Sequence, residues 1–256
     1  MAVALLALSM LVAGAAAVEA GAAELRFVHA APGAGPAVLE IDGERIGGPV
    51  AFAEVGDYAE APEERLQLSV RPARGGDPIG GGSGVLGEGR HTAVAWLRDG
   101  EFELTVIDDA AGSAGRARLR AVNAAGELGR AAVRVDNRPL GEALSPGEAT
   151  PYEAIEPGSY SLQVARTGGG GTPLATERDL RLTAGTSSTA FIVGSGGEPV
   201  RIVIAADSTA APERAPETGL GGLGGDTPWL TLVLTALAAG GLGGGAYLFA
   251  RRRRAA

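Results

Sequence analysis

The sequence predicts an all-β fold: two tandem immunoglobulin-like β-sandwiches, preceded by a signal peptide and followed by a transmembrane helix. Three observations carry this. From Leu25 to about Asp207, short segments with apolar residues at alternate positions are separated by Gly, Pro, Asp and Asn, as strands are by tight turns. No window of helix length in that stretch shows helical periodicity. The second half of the stretch also repeats the first, as expected of two copies of one domain.

At the amino end, Met1 to Ala17 is an apolar Ala/Leu run followed by small residues. Ala15-Ala16-Ala17 and Ala20-Gly21-Ala22 both fit a small-x-small cleavage site, so residues 1–23 read as a signal peptide. No Arg or Lys precedes the apolar core, so the amino terminus supplies the positive charge or the true start lies elsewhere.

The first sandwich is expected over residues 24–110. Leu25 to Val28, Val38 to Ile41, Leu66 to Val70, Thr92 to Trp96 and Phe102 to Val106 read as strands, with β-branched and aromatic residues enriched. Asp42-Gly43 and Asp99-Gly100 are hairpin turns, because the glycine can adopt positive φ. Leu25, Val28, Ala30, Ala31, Ile41, Asp42 and Tyr58 recur as Leu119, Val122, Ala124, Ala125, Val135, Asp136 and Tyr152, 94 positions later. Leu66, Leu68 and Val70 recur as Tyr160, Leu162 and Val164; an offset of 96 then pairs Gly89 with Gly185 and Leu104 with Val200. The second sandwich is therefore expected over residues 117–207. A short flexible linker, 111–116, overlapping the join Asp108 to Gly115, lies between the two. About seven strands per copy fit an immunoglobulin-like sandwich.

Residues 208–228 are rich in Ala, Pro, Gly and Thr and too poor in large apolar residues to fold, which makes them a stalk. Residues 229–250 form an uncharged apolar run, about 33 Å long as a helix and sufficient to cross a bilayer. Trp229, Tyr247 and Phe249 stand at its ends, where amphipathic rings prefer the interface. Arg251, Arg252, Arg253 and Arg254, in the tail 251–256, keep that end cytoplasmic and place everything before Trp229 outside. Gly240 with Gly244, and Gly241 with Gly245, make the spacing that lets two membrane helices approach closely.

Several motifs in order resemble a known family. Val28-His29-Ala30-Ala31-Pro32, Val38 to Gly43, Val55-Gly56-Asp57-Tyr58 and Gln67 to Pro72 are similar to domain-of-unknown-function family 4397. The resemblance implies exported bacterial β-sandwich modules, often in tandem, in a cell-envelope setting; it implies no catalytic residues. The second copy has Asn123 in place of His29 and Gly126 in place of Pro32. In the stalk, Ala215-Pro216-Glu217-Thr218-Gly219 followed by an apolar helix and an arginine tail resembles a sortase cell-wall sorting signal. That resemblance implies cleavage after Thr218 and linkage to peptidoglycan, with sortase as a partner. Ala215 stands where the pattern has Leu, so a retained membrane helix is the alternative.

Composition narrows the chemistry. The net charge of -8 includes the four cytoplasmic arginines, so the exterior portion carries about -12, which argues against nucleic acid as a partner. With no cysteine, disulfides and thiolate chemistry are excluded. All 22 basic residues are arginine, which removes Walker-type and Schiff-base lysines.

The remaining motifs have plain readings. His29 ends a strand and is expected to hydrogen-bond there; His91 lacks a metal-ligand spacing. Ser113 is one residue short of a nucleophile elbow, in a linker with no helix after it. Gly219 to Gly224 matches Gly-x-Gly-x-x-Gly but has no βαβ context. Gly80–Gly82 and Gly168–Gly171 read as hairpin loops without the lysine or helix start of a phosphate cradle. Asp42, Asp57, Asp99, Asp108 and Asp109 read as solvated turn carboxylates, and Trp96 as core. No catalytic site, cofactor or metal is expected. The expected role is a non-enzymatic surface protein recognising an unknown ligand or protein. A sugar- or calcium-binding module and a hydrolase with paired carboxylates are the alternatives.

Overall fold

Alternation and turn chemistry produce nine strands in the first module: β1 Ala23–His29, β2 Ala37–Ile41, β3 Glu44–Val50, β4 Glu54–Val55, β5 Ala59–Ala61, β6 Arg65–Pro72, β7 Gly80–Val85, β8 Arg90–Arg98 and β9 Glu101–Asp109. The second has eight: β10 Ala117–Asn123, β11 Ala131–Val135, β12 Arg138–Pro139, β13 Glu153–Ile155, β14 Gly158–Arg166, β15 Pro173–Leu182, β16 Ser187–Val193 and β17 Arg201–Ser208, with one 3-10 turn at Gly126–Leu128. This computed structural model describes residues 23–62, 65–194 and 197–208. The expected signal peptide as far as residue 22, the expected stalk beyond Ser208, the sorting-signal-like Ala215 to Gly219, the expected transmembrane helix and Arg251 to Arg254 lie outside the described residues. Among the described residues, no helix is long and apolar enough to cross a membrane.

Each module is a two-sheet sandwich. In the first, β4-β1-β8-β9 (β5 also pairing β1) faces β3-β2-β6-β7; in the second, β13-β10-β16-β17 faces β12-β11-β14-β15. An immunoglobulin sandwich is antiparallel throughout. Here the first strand of each module instead runs parallel to a late one, β1 with β8 and β10 with β16, so both sheets containing them are mixed. The expected turns form: Asp42 and Gly43 have φ of 50° and 87°, Asp99 and Gly100 of 52° and 84°, and the second module uses Asp136 and Asn137 at 45° and 66°.

Each sandwich has its own core. Leu25, Leu39, Leu66 and Leu68 pack with Phe27, Ile41 and Val70 in the first, and Leu119, Val133, Leu162 and Val164 with Leu140, Leu182 and Ile192 in the second. Burying one such leucine stabilises by about 1.5–3 kcal/mol.

A third apolar cluster joins the modules. Val28, Ala30, Val94 and Trp96 of the first pack with Val122, Ala124, Phe191, Val193 and Ala205 of the second. β1, β8, β10 and β16 are thus covered on both faces, as their near-continuous burial records.

The first strand begins at Ala23, which is fully buried and paired with Ala61. Three expectations change. Asp108 and Asp109 belong to β9 and not to a linker. Gly80–Gly82 form part of strand β7, not a loop, and a side chain at Gly81 would sit 2.7 Å from the Leu68 carbonyl oxygen. Finally, Ala95 pairs with Leu104 and Ile192 with Ile202, so the partner of Leu104 is Ile202, at an offset of 98, and Val200 lies before β17.

Candidate functional site

The densest polar arrangement lies at the junction. Alternation along β1 sends Leu25 and Phe27 into the first core and turns Arg26 and Val28 to the opposite face, which the second module covers. Along β10, Arg120 and Val122 do the same in reverse. The two arginines exchange partners: Arg26 donates to Asp207 of β17, and Arg120 donates to Asp109 of β9. Each acid side chain is fully buried and each arginine nearly so.

The surroundings are duplicated. Arg26 Nε donates to Thr92 Oγ1 at 2.8 Å and Arg120 Nε to Thr189 Oγ1 at 2.8 Å. The threonines donate to Asp109 at 2.6 Å and Asp207 at 2.7 Å, and the Tyr58 and Tyr152 hydroxyls donate to the same two carboxylates at 2.7 Å. The arginines also reach across to carbonyl oxygens, Ala206 for Arg26 at 2.8 Å and Asp108 for Arg120 at 2.7 Å. Each tyrosine ring lies against two guanidinium groups: Arg26 at 4.6 Å and Arg90 at 4.7 Å for Tyr58, Arg120 at 4.5 Å and Arg118 at 5.2 Å for Tyr152. The second guanidinium is recruited differently. Arg90 comes from β8 and is held by Glu24 at 2.6 Å, whereas Arg118 comes from β10 itself, opposite Ser187.

Burial sets the electrostatics. Desolvation raises the Asp109 pKa above the ordinary carboxylate value; the Thr92 hydrogen bond, Arg26 and Tyr58 oppose the rise, and Asp207 adds to it. Desolvation also pushes both tyrosine hydroxyls far up, so neither ionises in the working pH range. Among the described residues, no buried side-chain nitrogen or oxygen lacks a hydrogen-bond partner.

Besides Tyr58 and Tyr152, two side chains weighed for chemistry in the sequence lie at the junction. Asp109 is one: expected to be a solvated turn carboxylate, it is instead buried at this junction. Trp96 is the other; it is 2% exposed and packs at the junction, where a side chain at Gly147 would come within 2.7 Å of its Cζ2. Its indole donates to Thr105 Oγ1 at 3.1 Å.

His29 holds the strand end as expected: its Nε2 bonds the Gly35 carbonyl at 2.8 Å, and its Nδ1 accepts from the Ala31 amide at 3.3 Å. Asn123 repeats this with Gly129 at 2.9 Å and Ala125 at 3.1 Å. His91 bonds Asp108 and the Gly87 carbonyl, both at 2.9 Å. Asp42 accepts from the Gln67 amide at 3.1 Å, while Asp57 and Asp99 are exposed. Ser113 is an exposed turn residue bridged to Arg116. Arg26, Arg120 and Asp207 were not identified from the sequence; the first two repeat at an offset of 94, which was the available signal.

A cleft of about 420 Å³ lies on the surface of the second module. It opens between the short edge strands β12 and β13, floored by Val135, Pro139, Leu140 and Ile155 and flanked by Tyr160. Arg116 pairs with Glu156 there at 3.0 Å, and Glu153 accepts from the Gly141 amide at 2.8 Å. The cleft offers an aromatic ring beside an apolar floor with charges of both signs, a lining suited to binding.

No curated protein matches the sequence. The crystal structure of CBMbc (family CBM26) from Eubacterium rectale Amy13K in complex with maltoheptaose aligns over 74% of this chain and 98% of its own. With 12% identity and a TM-score of 0.24, that likeness is too loose to carry an argument. The family described as "Domain of unknown function (DUF4397)" matches residues 23–130 and again 127–216, so this two-module chain belongs to that family.

Proposed function

We propose that the chain is a non-enzymatic surface protein with a structural or recognition role. Its joined sandwiches present the edge cleft and end loops to a partner, and residues 208–256 tether it. The observation that carries this reading is the use made of the buried acids. Asp109 and Asp207 converge on Arg26, within 3.8 Å for Asp109, as a carboxylate pair would in a hydrolase. Yet both are fully buried and neither lines the cleft, so a substrate would have to separate the modules to reach them. Chemistry that could serve catalysis is spent on fixing one module against the other.

The acidic exterior, the apolar run at 229–250 and the arginine tail support an extracellular location with a cytoplasmic carboxyl end. Protease added to intact cells tests this: peptides from residues 23–208 are expected in the supernatant. Their protection alongside release of the tail would reverse the topology. Mass spectrometry of the mature carboxyl end separates the two attachments, with Thr218 as the last residue for wall linkage and recovery of Arg251 for a retained helix.

One observation favours a sugar-binding reading as the second choice: Tyr160 flanks the cleft beside polar groups. Screening the full-length protein against a glycan array, with Tyr160→Ala alongside, tests it; uniformly blank arrays remove it. For calcium, the described residues gather no group of three or more acidic or histidine side chains.

A further inference from the structure

We propose that the outer face of the second module carries an oxyanion site, between Arg134 of β11 and the glycine loop that follows β14. A cavity of about 250 Å³ opens there, lined by Arg134, Gln163, Arg166 and Thr167 together with Gly168 and Gly171 of the loop. Its lining contains two guanidinium side chains and no carboxylate. Among the described residues, neither Arg134 nor Arg166 has an ion-pair or side-chain hydrogen-bond partner, and both are exposed. In a chain of net charge -8, an arginine pair without a neighbouring acid is out of keeping with its surroundings.

The first module shows what this face looks like when it needs no ligand. Register places Arg134 opposite Gln163, and the equivalent strands place Glu40 opposite Ser69. Glu40 is satisfied internally: Arg71 Nε bonds it at 2.9 Å and Ser69 at 3.2 Å, which holds its carboxyl below the ordinary range. In the second module the acid position holds Arg134, and Ala165 stands where Arg71 would be. The charge sign is inverted and the internal partner is gone.

The glycine loop supplies the other half. Gly168, Gly170 and Gly171 have φ of 82°, 71° and 76°, a backbone that only glycine adopts cheaply in succession. Left-handed residues alternating with one of ordinary φ, as Gly168 and Gly170 do about Gly169, turn amides toward the small concavities that bind anions. The run lacks the lysine of a phosphate cradle, but the fold places two arginines beside it. Guanidinium groups suit both tetrahedral phosphate and planar carboxylate, so the shared chemistry is an oxyanion. The site shares no lining residue with the cleft between β12 and β13.

Calorimetric titration of the full-length protein in neutral detergent, with inorganic phosphate and separately with acetate at fixed ionic strength, tests the proposal. Saturable binding of either probe beyond sodium chloride is expected: phosphate alone identifies a phosphate site, and equal binding of acetate a carboxylate-tolerant one. Arg134→Glu, which restores the first module's residue, and Arg166→Gln are each expected to weaken binding about tenfold or more. Arg178→Gln, an exposed arginine outside the cavity, should leave it unchanged. No saturable binding of either probe, or an equal loss in Arg178→Gln, would overturn the site. Unchanged near-ultraviolet circular dichroism in the variants shows that any loss is not unfolding.

Discussion

The two modules share a framework and a junction but differ on their free surfaces. At the junction, Arg26 and Arg120, Thr92 and Thr189, Tyr58 and Tyr152, and Asp109 and Asp207 occupy matching places. Each set is completed by the other module's acid, so a change on one side strands a charge on the opposite side. Away from that seam, little ties the copies together. Residues 24–110 hold 7 arginines against 16 carboxylates, whereas residues 117–208 hold 9 against 10, so the first module carries nearly all the negative charge of the pair. The seven-residue β3 flanks the first sandwich where the two-residue β12 leaves the second open as the cleft. Mutual dependence holds the buried face constant, and solvent exposure lets the outer faces diverge.

The largest effect should come from breaking the exchange. Asp109→Ala and Asp207→Ala each leave a buried guanidinium without its hydrogen-bonded acid, at a cost of about 3–5 kcal/mol. If the junction is a true reciprocal pair, the two losses agree to within about 1 kcal/mol in chemical denaturation. A neutral result at either acid would break the equivalence. Next, Gly147→Ala combines a contact at 2.7 Å from Trp96 with a φ of 84° and should cost about 1–3 kcal/mol. Its thermal midpoint falls together with Trp96 fluorescence if the seam opens.

His29→Asn sharpens the comparison by giving the first module the second's residue. Burial lowers the His29 pKa below 6.5, so the folded state keeps the ring neutral while the unfolded chain takes up a proton. The stability this group contributes is complete above about pH 6.5 and is lost as pH falls through the depressed folded value. The variant should fold and lose less stability than the parent as pH falls below about 6.5; identical pH profiles would show that His29 is not the titrating group. Smallest of all, Glu156→Gln removes an ion pair whose partners are 49% and 71% exposed and should cost under about 1 kcal/mol.

Much of the fold was legible because its causes are local. Leu66 to Val70 alternates because only one face of β6 meets the core, and Asp42-Gly43 turns because two adjacent residues take positive φ. His29 and Asn123 could be compared because the repeat offset had not yet drifted. The candidate site was less readable. Asp108-Asp109 before a Gly/Ala run has the composition of a linker; only a second module over β9 makes Asp109 a buried anion. Thr92 to Trp96 looked like a one-sided strand, yet both faces of β8 are covered, which no period can report. Asp207 was hidden because the offset grows from 94 to 98 before reaching it.

Taken alone, the sequence determined what depends on near neighbours: the strands, their turns, the duplication, and an apolar carboxyl segment with its basic flank. The tertiary structure decided which strands pair in parallel, which faces are covered twice, and which acid answers which arginine. The reason is separation along the chain: Arg26 and Asp207 stand 181 residues apart, and at that distance only the packed fold specifies a partner.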